Sequence, residues 1–319
     1  VVFERLANGQ FSKPLPINTP FQTSFTAKMG DLNGDNLPDL VIITSNSISW
    51  MPNTGSFTNF TVINVISTNN VPNSVQIIDR DADGDQDIFF YDTFNSGWFI
   101  NNSNATSFTY SSYFGSSVFD ILVQDVNGDN DLAYAYLNGT ARQLVWYQYN
   151  SATGLFGTKT VIANLTTDPS GVYVGNVNSN GAADIVLTYN DPDKISWVRS
   201  NGNGSFAAEQ TITTAANLVR QVLIADADGD TFNDIFFTSY YDSKLSYLKT
   251  NGAVNPTFTE VRLNNATFGA FSVEAGDMDN DGDRDIVQAS LIERKISWFK
   301  NENGAFSGNQ NIIQEFETY

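Results

Sequence analysis

Of 35 acidic residues 27 are Asp, and 21 of these fall in six short loops. The loops read Asp31-Leu-Asn33-Gly-Asp35-Asn-Leu-Pro-Asp39, Asp79-Arg-Asp81-Ala-Asp83-Gly-Asp85-Gln-Asp87 and Asp125-Val-Asn127-Gly-Asp129-Asn-Asp131. They continue as Asn176-Val-Asn178-Ser-Asn180-Gly-Ala-Ala-Asp184, Asp226-Ala-Asp228-Gly-Asp230-Thr-Phe-Asn-Asp234 and Asp277-Met-Asp279-Asn-Asp281-Gly-Asp283-Arg-Asp285. Oxygen donors at alternate positions, closed by a further carboxylate, are what a hard cation needs. Ca²⁺ takes roughly six to eight oxygens at about 2.3–2.6 Å. An EF-hand opens in the same way but closes on a Glu at its twelfth position. Here that position holds Ile42, Phe90, Phe237 or Gln288, inside strand-like runs. These are therefore nine-residue loops set between strands, with Asp39, Asp87, Asp234 and Asp285 as the closing ligands.

Two loops depart from this pattern. The one from Asp125 is two residues short, so Asp131 must replace the ninth ligand or leave the site open. The one at Asn176 keeps a single carboxylate, Asp184. Neutral amides offset the dehydration of a divalent ion poorly, so this loop is expected to be weak or empty. The total expected is about four to five calcium ions.

The net charge of −19 belongs to these loops: outside them 14 basic residues face 14 acidic ones. Such acidity repels nucleic acid and anionic membranes. No apolar run is long enough for a membrane span. With no His and no Cys, imidazole bases, thiolate nucleophiles and disulfides are excluded. The chain reads as a non-enzyme; a polysaccharide lyase using Tyr or Lys as base is the remaining catalytic reading.

The loops begin at 31, 79, 125, 176, 226 and 277, a period near fifty. A second landmark travels with them: Ile48-Ser-Trp50, Gly97-Trp98, Val145-Trp146, Ile195-Ser-Trp197, Leu245-Ser-Tyr247 and Ile296-Ser-Trp298, each leading to a Phe. Between landmarks lie four short runs rich in β-branched and aromatic residues, punctuated by Gly and Asn. Four antiparallel strands per repeat describe the blades of an all-β propeller. The Trp and Phe are assigned to the core between blades.

The pattern Asp-x-Asp-x-Asp-Gly-x-x-Asp-Ile with Ile-Ser-Trp-x-x-Asn-x-x-Gly-x-Phe resembles the FG-GAP/VCBS repeats of integrin α-subunit propellers, and is closer to the short VCBS type. The resemblance covers essentially the whole chain. It implies an extracellular, secreted or cell-surface location, Ca²⁺ between the first two strands of a blade, and usually seven blades. Relatives include adhesion receptors, lectins and some lyases, and fold does not choose among them.

The expected organisation is one propeller over residues 1–319. Residues 1–20 form a partial blade, followed by repeats 21–66, 67–114, 115–165, 166–215, 216–265 and 266–319. Seven blades with the seventh incomplete are favoured over six with a spare hairpin. An unpaired hairpin at 1–17 would offer its edge to another copy of the chain. Adhesion or self-assembly is therefore the leading expectation, with glycans or extracellular proteins as the other partners. For a lectin, the loops joining second and third strands supply Tyr91, Asp92, Asp191, Tyr240, Tyr241 and Asp242, aromatic faces beside carboxylates. Candidate glycosylation sequons stand at Asn59, Asn101, Asn104, Asn138, Asn164, Asn203 and Asn265, as many as chance supplies in a chain with 37 Asn.

Overall fold

In a computed structural model, residues 26–43, 47–55, 63–67, 72, 74–80, 83–92, 95–102, 107–115, 118–124, 133–138, 142–150, 155–264 and 268–313 are described. Every regular element among them is a strand. The first sheet contains β1 (Thr26–Gly30), β2 (Asp39–Ile43), β3 (Ser47–Met51) and β4 (Ile63–Ser67); the second, β5 (Ser74–Ile78), β6 (Asp87–Tyr91), β7 (Asn95–Asn101) and β8 (Phe108–Gly115). Then come β9 (Val118–Gln124), β10 (Ala133–Asn138), β11 (Gln143–Asn150), β12 (Leu155–Phe156) and β13 (Thr160–Asn164). Three further sheets follow: β14 (Gly171–Gly175), β15 (Asp184–Asn190), β16 (Asp193–Val198) and β17 (Gln210–Thr213); β18 (Val219–Ala225), β19 (Asp234–Ser239), β20 (Lys244–Lys249) and β21 (Thr259–Asn264); β22 (Ala270–Gly276), β23 (Asp285–Ser290), β24 (Lys295–Glu302) and β25 (Ala305–Ile313).

Five of these sheets are four-stranded antiparallel meanders, the blades of a β-propeller, each paired in chain order. The expected count of seven, or six with a spare hairpin, is corrected to five blades among the described residues. The landmarks in the sequence count hairpins, whereas a blade needs four strands in one ladder. In the repeat 115–165 the outer edge of β11 is divided. Tyr149 and Asn150 pair with β12, while Gln143 to Trp146 pair with β13. The hairpin at 1–17 lies outside the described residues, as do Asp81, the loop of Asp125, Asn127, Asp129 and Asp131, and the sequons Asn59, Asn104 and Asn265.

The chain divides into two compact units. One is Val1–Val123, Tyr136–Ala141 and Tyr147–Thr158; the other is Gln124–Ala135, Arg142–Trp146 and Lys159–Tyr319. In each, second strands are buried on both faces: every residue of β6 and of β19 is buried. Fourth strands such as β17 contain only half-buried and exposed residues. That gradient explains why Asp-Ile-Phe-Phe runs, apolar without alternation, make second strands. In the first unit Leu32, Val41, Trp50, Val75, Phe90 and Phe99 form one core across two blades.

In the second unit the landmark rings interlock from blade to blade. Trp146 meets Phe206 at 6.0 Å, Trp197 meets Phe258 at 5.9 Å and Tyr247 meets Phe306 at 6.0 Å, all edge to face. The inter-blade role assigned to these residues holds. Glycine ends β14 for the same reason of close approach: a Cβ on Gly175 would lie 2.9 Å from Ile224 of the next blade.

Candidate metal centres

Each described Asp loop joins the first strand of a blade to the second, and a common hydrogen-bond scheme folds it. The first carboxylate turns inward and collects loop N–H groups. Asp31 accepts from Gly34 (2.8 Å) and Asn36 (2.7 Å), and Asp226 from Gly229 and Thr231 (both 2.9 Å). The fifth residue accepts from the N–H two positions on, as Asp35, Asp83, Asn180, Asp230 and Asp281 all do. The sixth residue has positive φ in all five loops: Asn36, Gly84, Gly181, Thr231 and Gly282. In the loops from Asp226 and Asp277 the chain thus wraps around a point that the first, third and ninth side chains share.

The ninth Asp has a role that the sequence reading missed. It is fully or almost fully buried in all five blades, and both of its oxygens are engaged by backbone. Asp39 binds the N–H of Leu32 (3.1 Å) and Asn53 (2.8 Å). Asp87 binds Arg80 (2.8 Å) and Asn101 (2.7 Å). Asp184 binds Val177 (3.0 Å), Asn178 (3.3 Å) and Ser200 (2.8 Å). Asp234 binds Ala227 (3.2 Å) and Thr250 (2.7 Å), and Asp285 binds Met278 and Asn301 (both 2.8 Å). One carboxylate therefore clamps the loop to the end of the third strand, 14 to 16 residues along the chain. A signal for this was present: the Asn loop discards every other carboxylate but keeps Asp184.

The Asn of the Trp-x-x-Asn motif completes the arrangement. Asn101 donates to Leu32 O (2.8 Å) in the preceding blade, and Asn301 donates to Ala227 O (3.1 Å). Asn101 is also a sequon; buried, with its amide so used, it is sterically closed to a glycan in the folded chain. Asn164 and Asn203 are exposed, and Asn138 ends β10.

Burial sets the electrostatics. It pushes Asp234 up to about 7, with Asp228 and Asp230 adding like charge, and Asp184 up to about 6; in both, backbone donors pull the other way. Asp39 and Asp285 move in the same direction for the same reason.

Among the described residues two groups bring three carboxylate oxygens within 4.8 Å of one another: Asp226, Asp228 and Asp234, and Asp277, Asp279 and Asp285. The third-position residues Asp228 and Asp279 each have one buried oxygen, Oδ1, with no hydrogen-bond partner. An orphaned anionic oxygen facing further carboxylates fits a bound cation, and hard oxygen donors suit calcium or magnesium. The fifth-position residues stand outside these groups. Asp230 lies 3.8 Å from Lys249 Nζ and Asp281 lies 3.3 Å from Lys300 Nζ. Its hydrogen bond to Asp279 raises Lys300.

The loop at Asn176 keeps the fold without the charge. Asn178 donates to Val254 O (3.3 Å) and Asn180 to Ser200 O (2.9 Å), so amide N–H groups stand where other loops carry carboxylate oxygens.

The loops between second and third strands diverge. Tyr91 and Asp92 are buried, and Tyr189 is buried with its hydroxyl on Glu209. Asp191 is exposed. Asp242 accepts from Asn217 N (2.8 Å) and Ser239 Oγ (2.6 Å), which fixes its own turn. Tyr241 is 69% exposed and meets Tyr240 edge to face at 5.3 Å. Arg220 lies over both Tyr240 (5.1 Å) and Phe271 (5.6 Å).

The FG-GAP-like repeat model matches residues 31–90, 176–237 and 226–288, more than half of the chain. Among curated proteins no sequence matches. Solved structures are similar over most of their length. A lectin of Agrocybe aegerita, studied for recognition of non-reducing terminal N-acetylglucosamine, superposes with a TM-score of 0.71 at 16% identity, over 92% of this chain and 81% of the lectin. A periplasmic gluconolactonase of Pseudomonas aeruginosa gives 0.63 at 14% identity, over 97% and 90%. A chain of a nidogen/laminin complex gives 0.51 at 11% identity, over 85% and 92%. At these identities the likeness is one of fold.

Proposed function

The chain belongs to the FG-GAP-like repeat family, and from that premise we propose that it is an extracellular, calcium-binding, non-catalytic propeller serving adhesion or assembly. The observation that carries this reading is the pair of three-carboxylate groups, each with an orphaned buried oxygen. Millimolar calcium, which such oxygen-rich sites need when their affinity is modest, is an extracellular condition. No helix among the described residues is long and apolar enough to cross a membrane. The half-buried Glu209, bonded by Tyr189, Lys194 and Ser196, supports a structural role rather than catalysis. Burial works to raise Glu209, but hydrogen bonds from Ser196, Lys194 and Tyr189 outweigh it and hold it below the usual carboxylate range, where it makes a poor base.

Elemental analysis tests the metal sites. Asp279→Ala should lose one calcium per chain relative to wild type, whereas Asn178→Ala should lose none. Equal calcium content in wild type and Asp279→Ala would sink the assignment. Negative-stain microscopy in calcium tests the role: fibres or arrays are expected for assembly, and discrete single particles that bind no surface would count against both assembly and adhesion.

A lectin is the second reading. It is favoured by the exposed ring of Tyr241 beside Tyr240, Arg220 and Phe271, and by the fold shared with the Agrocybe aegerita lectin. On this reading Tyr241→Ala should reduce glycan-array signals about fivefold without moving the melting curve, as loss of one stacking face costs about 1 kcal/mol. Unchanged array binding would discard it.

A further inference from the structure

The five described blades place four different residue types at one position, two residues beyond the landmark ring at the end of the third strand. It holds Pro52, Ile100, Arg199, Lys249 and Lys300. In the last two blades the ammonium enters the Asp loop. Lys300 Nζ lies 2.8 Å from Asp279 Oδ2, 3.3 Å from Asp281 Oδ2 and 3.4 Å from Glu302 Oε1. Lys249 bonds Asp228 Oδ2 and lies 3.8 Å from Asp230 Oδ2. In the blade whose loop is built of amides, the basic residue turns elsewhere: Arg199 Nη1 donates to Asn255 Oδ1 (3.1 Å) and Val254 O (3.5 Å). The lysine contact thus goes with carboxylates at the third and fifth positions.

Resting on the calcium reading above, we propose that Lys249 and Lys300 are built-in counter-ions that set the affinity of their two loops. Each holds the third-position carboxylate by one oxygen while the other, Oδ1, faces the cation seat unpaired. Each also draws the fifth-position carboxylate away from the three that converge. Two consequences follow from Coulomb's law. Without metal, the ammonium lowers the repulsion among the Asp residues and keeps the loop folded. With metal, a positive charge close to the seat weakens the incoming cation. The loop from Asp79 carries five Asp, as does the loop from Asp277, but has Ile100 in place of lysine. It is therefore the stronger site of the two. The chain would carry calcium sites of two classes, one filled at low calcium and one only at higher calcium.

The test is calorimetric titration of the full chain with calcium chloride, together with melting curves in EDTA and in calcium. Lys300→Ile, which copies Ile100, should tighten one site at least tenfold and lower the melting midpoint in EDTA. Lys300→Arg should match wild type in both. If Lys300→Ile does not fold, Lys300→Gln and Lys249→Met carry the same two readouts. A wild type that binds calcium alongside a neutral variant that binds no tighter overturns the role of the lysine. So does an unchanged midpoint in EDTA. A wild type that binds no calcium overturns the parent reading, and this inference with it.

Discussion

Asp184→Ala is expected to lower stability by about 3–5 kcal/mol in calcium and in EDTA alike, because the change leaves three buried N–H groups without an acceptor. In a chain of this size that is a fall in melting midpoint on the order of 5–10 °C. Asp184→Asn keeps the shape but can present oxygen to only one side of the clamp, so most of the loss should remain. The comparison is informative because Asp184 stands in the loop with no other carboxylate. A residue that served only as a metal ligand would show wild-type stability once metal was chelated; finding that result would remove the clamp. The pH dependence follows with a definite sign. Burial raises Asp184 to about 6, so the folded chain binds this proton more tightly than the unfolded one. Its contribution is fully present below the unfolded value near 4 and is lost as pH rises through about 6. The variant should lack that slope.

Removal of calcium has the other large expected effect. A ligand bound only by the native state stabilises it by RT ln(1 + [L]/Kd), about 2.7 kcal/mol for a site at a hundred times its Kd. The two carboxylate groups that converge within 4.8 Å then account for about 5 kcal/mol, and the melting midpoint in EDTA should drop on the order of 10 °C. Three like charges left facing one another favour opening of each loop. Unfolding should nevertheless remain a thermal transition rather than occur on chelation, because Lys249 and Lys300 neutralise part of that charge and the described inter-blade cores are built from apolar side chains that hold no metal. Identical melting curves with and without EDTA, with metal loss confirmed by elemental analysis, would refute calcium as a stabilising ligand.

Much of the fold was legible because it is written in contiguous residues. The run Asp87-Ile-Phe-Phe-Tyr91 is a strand buried on both faces, and its β-branched and aromatic content with a Gly/Asp loop before it says so locally. The period near fifty and the Trp and Phe landmarks located the blades and their mutual core. The blade count failed for a related reason. A hairpin landmark marks two strands, and whether a third and fourth join the same ladder depends on pairing that no local pattern fixes, as the divided edge of β11 illustrates. Tyr91 and Asp92 looked like a ligand loop by residue type alone, yet packing buries both.

By itself, then, the sequence determined the all-β repeat, the strands of each blade, the oxygen-rich chemistry of the loops and the place of the landmark rings between blades. These depend on alternation, turn residues and spacing, which act over a few residues or recur at a fixed interval. Tertiary structure alone decided which carboxylates converge, which are held by a lysine and which serve as clamps. The N–H groups that engage Asp285 lie 7 residues before it and 16 after it, and Asn301 reaches an oxygen 74 residues away. Asp279 and Asp285 are the same residue type in the same loop. One keeps a free buried oxygen and the other spends both on the backbone, because burial and neighbours, not residue identity, assign the lone pairs.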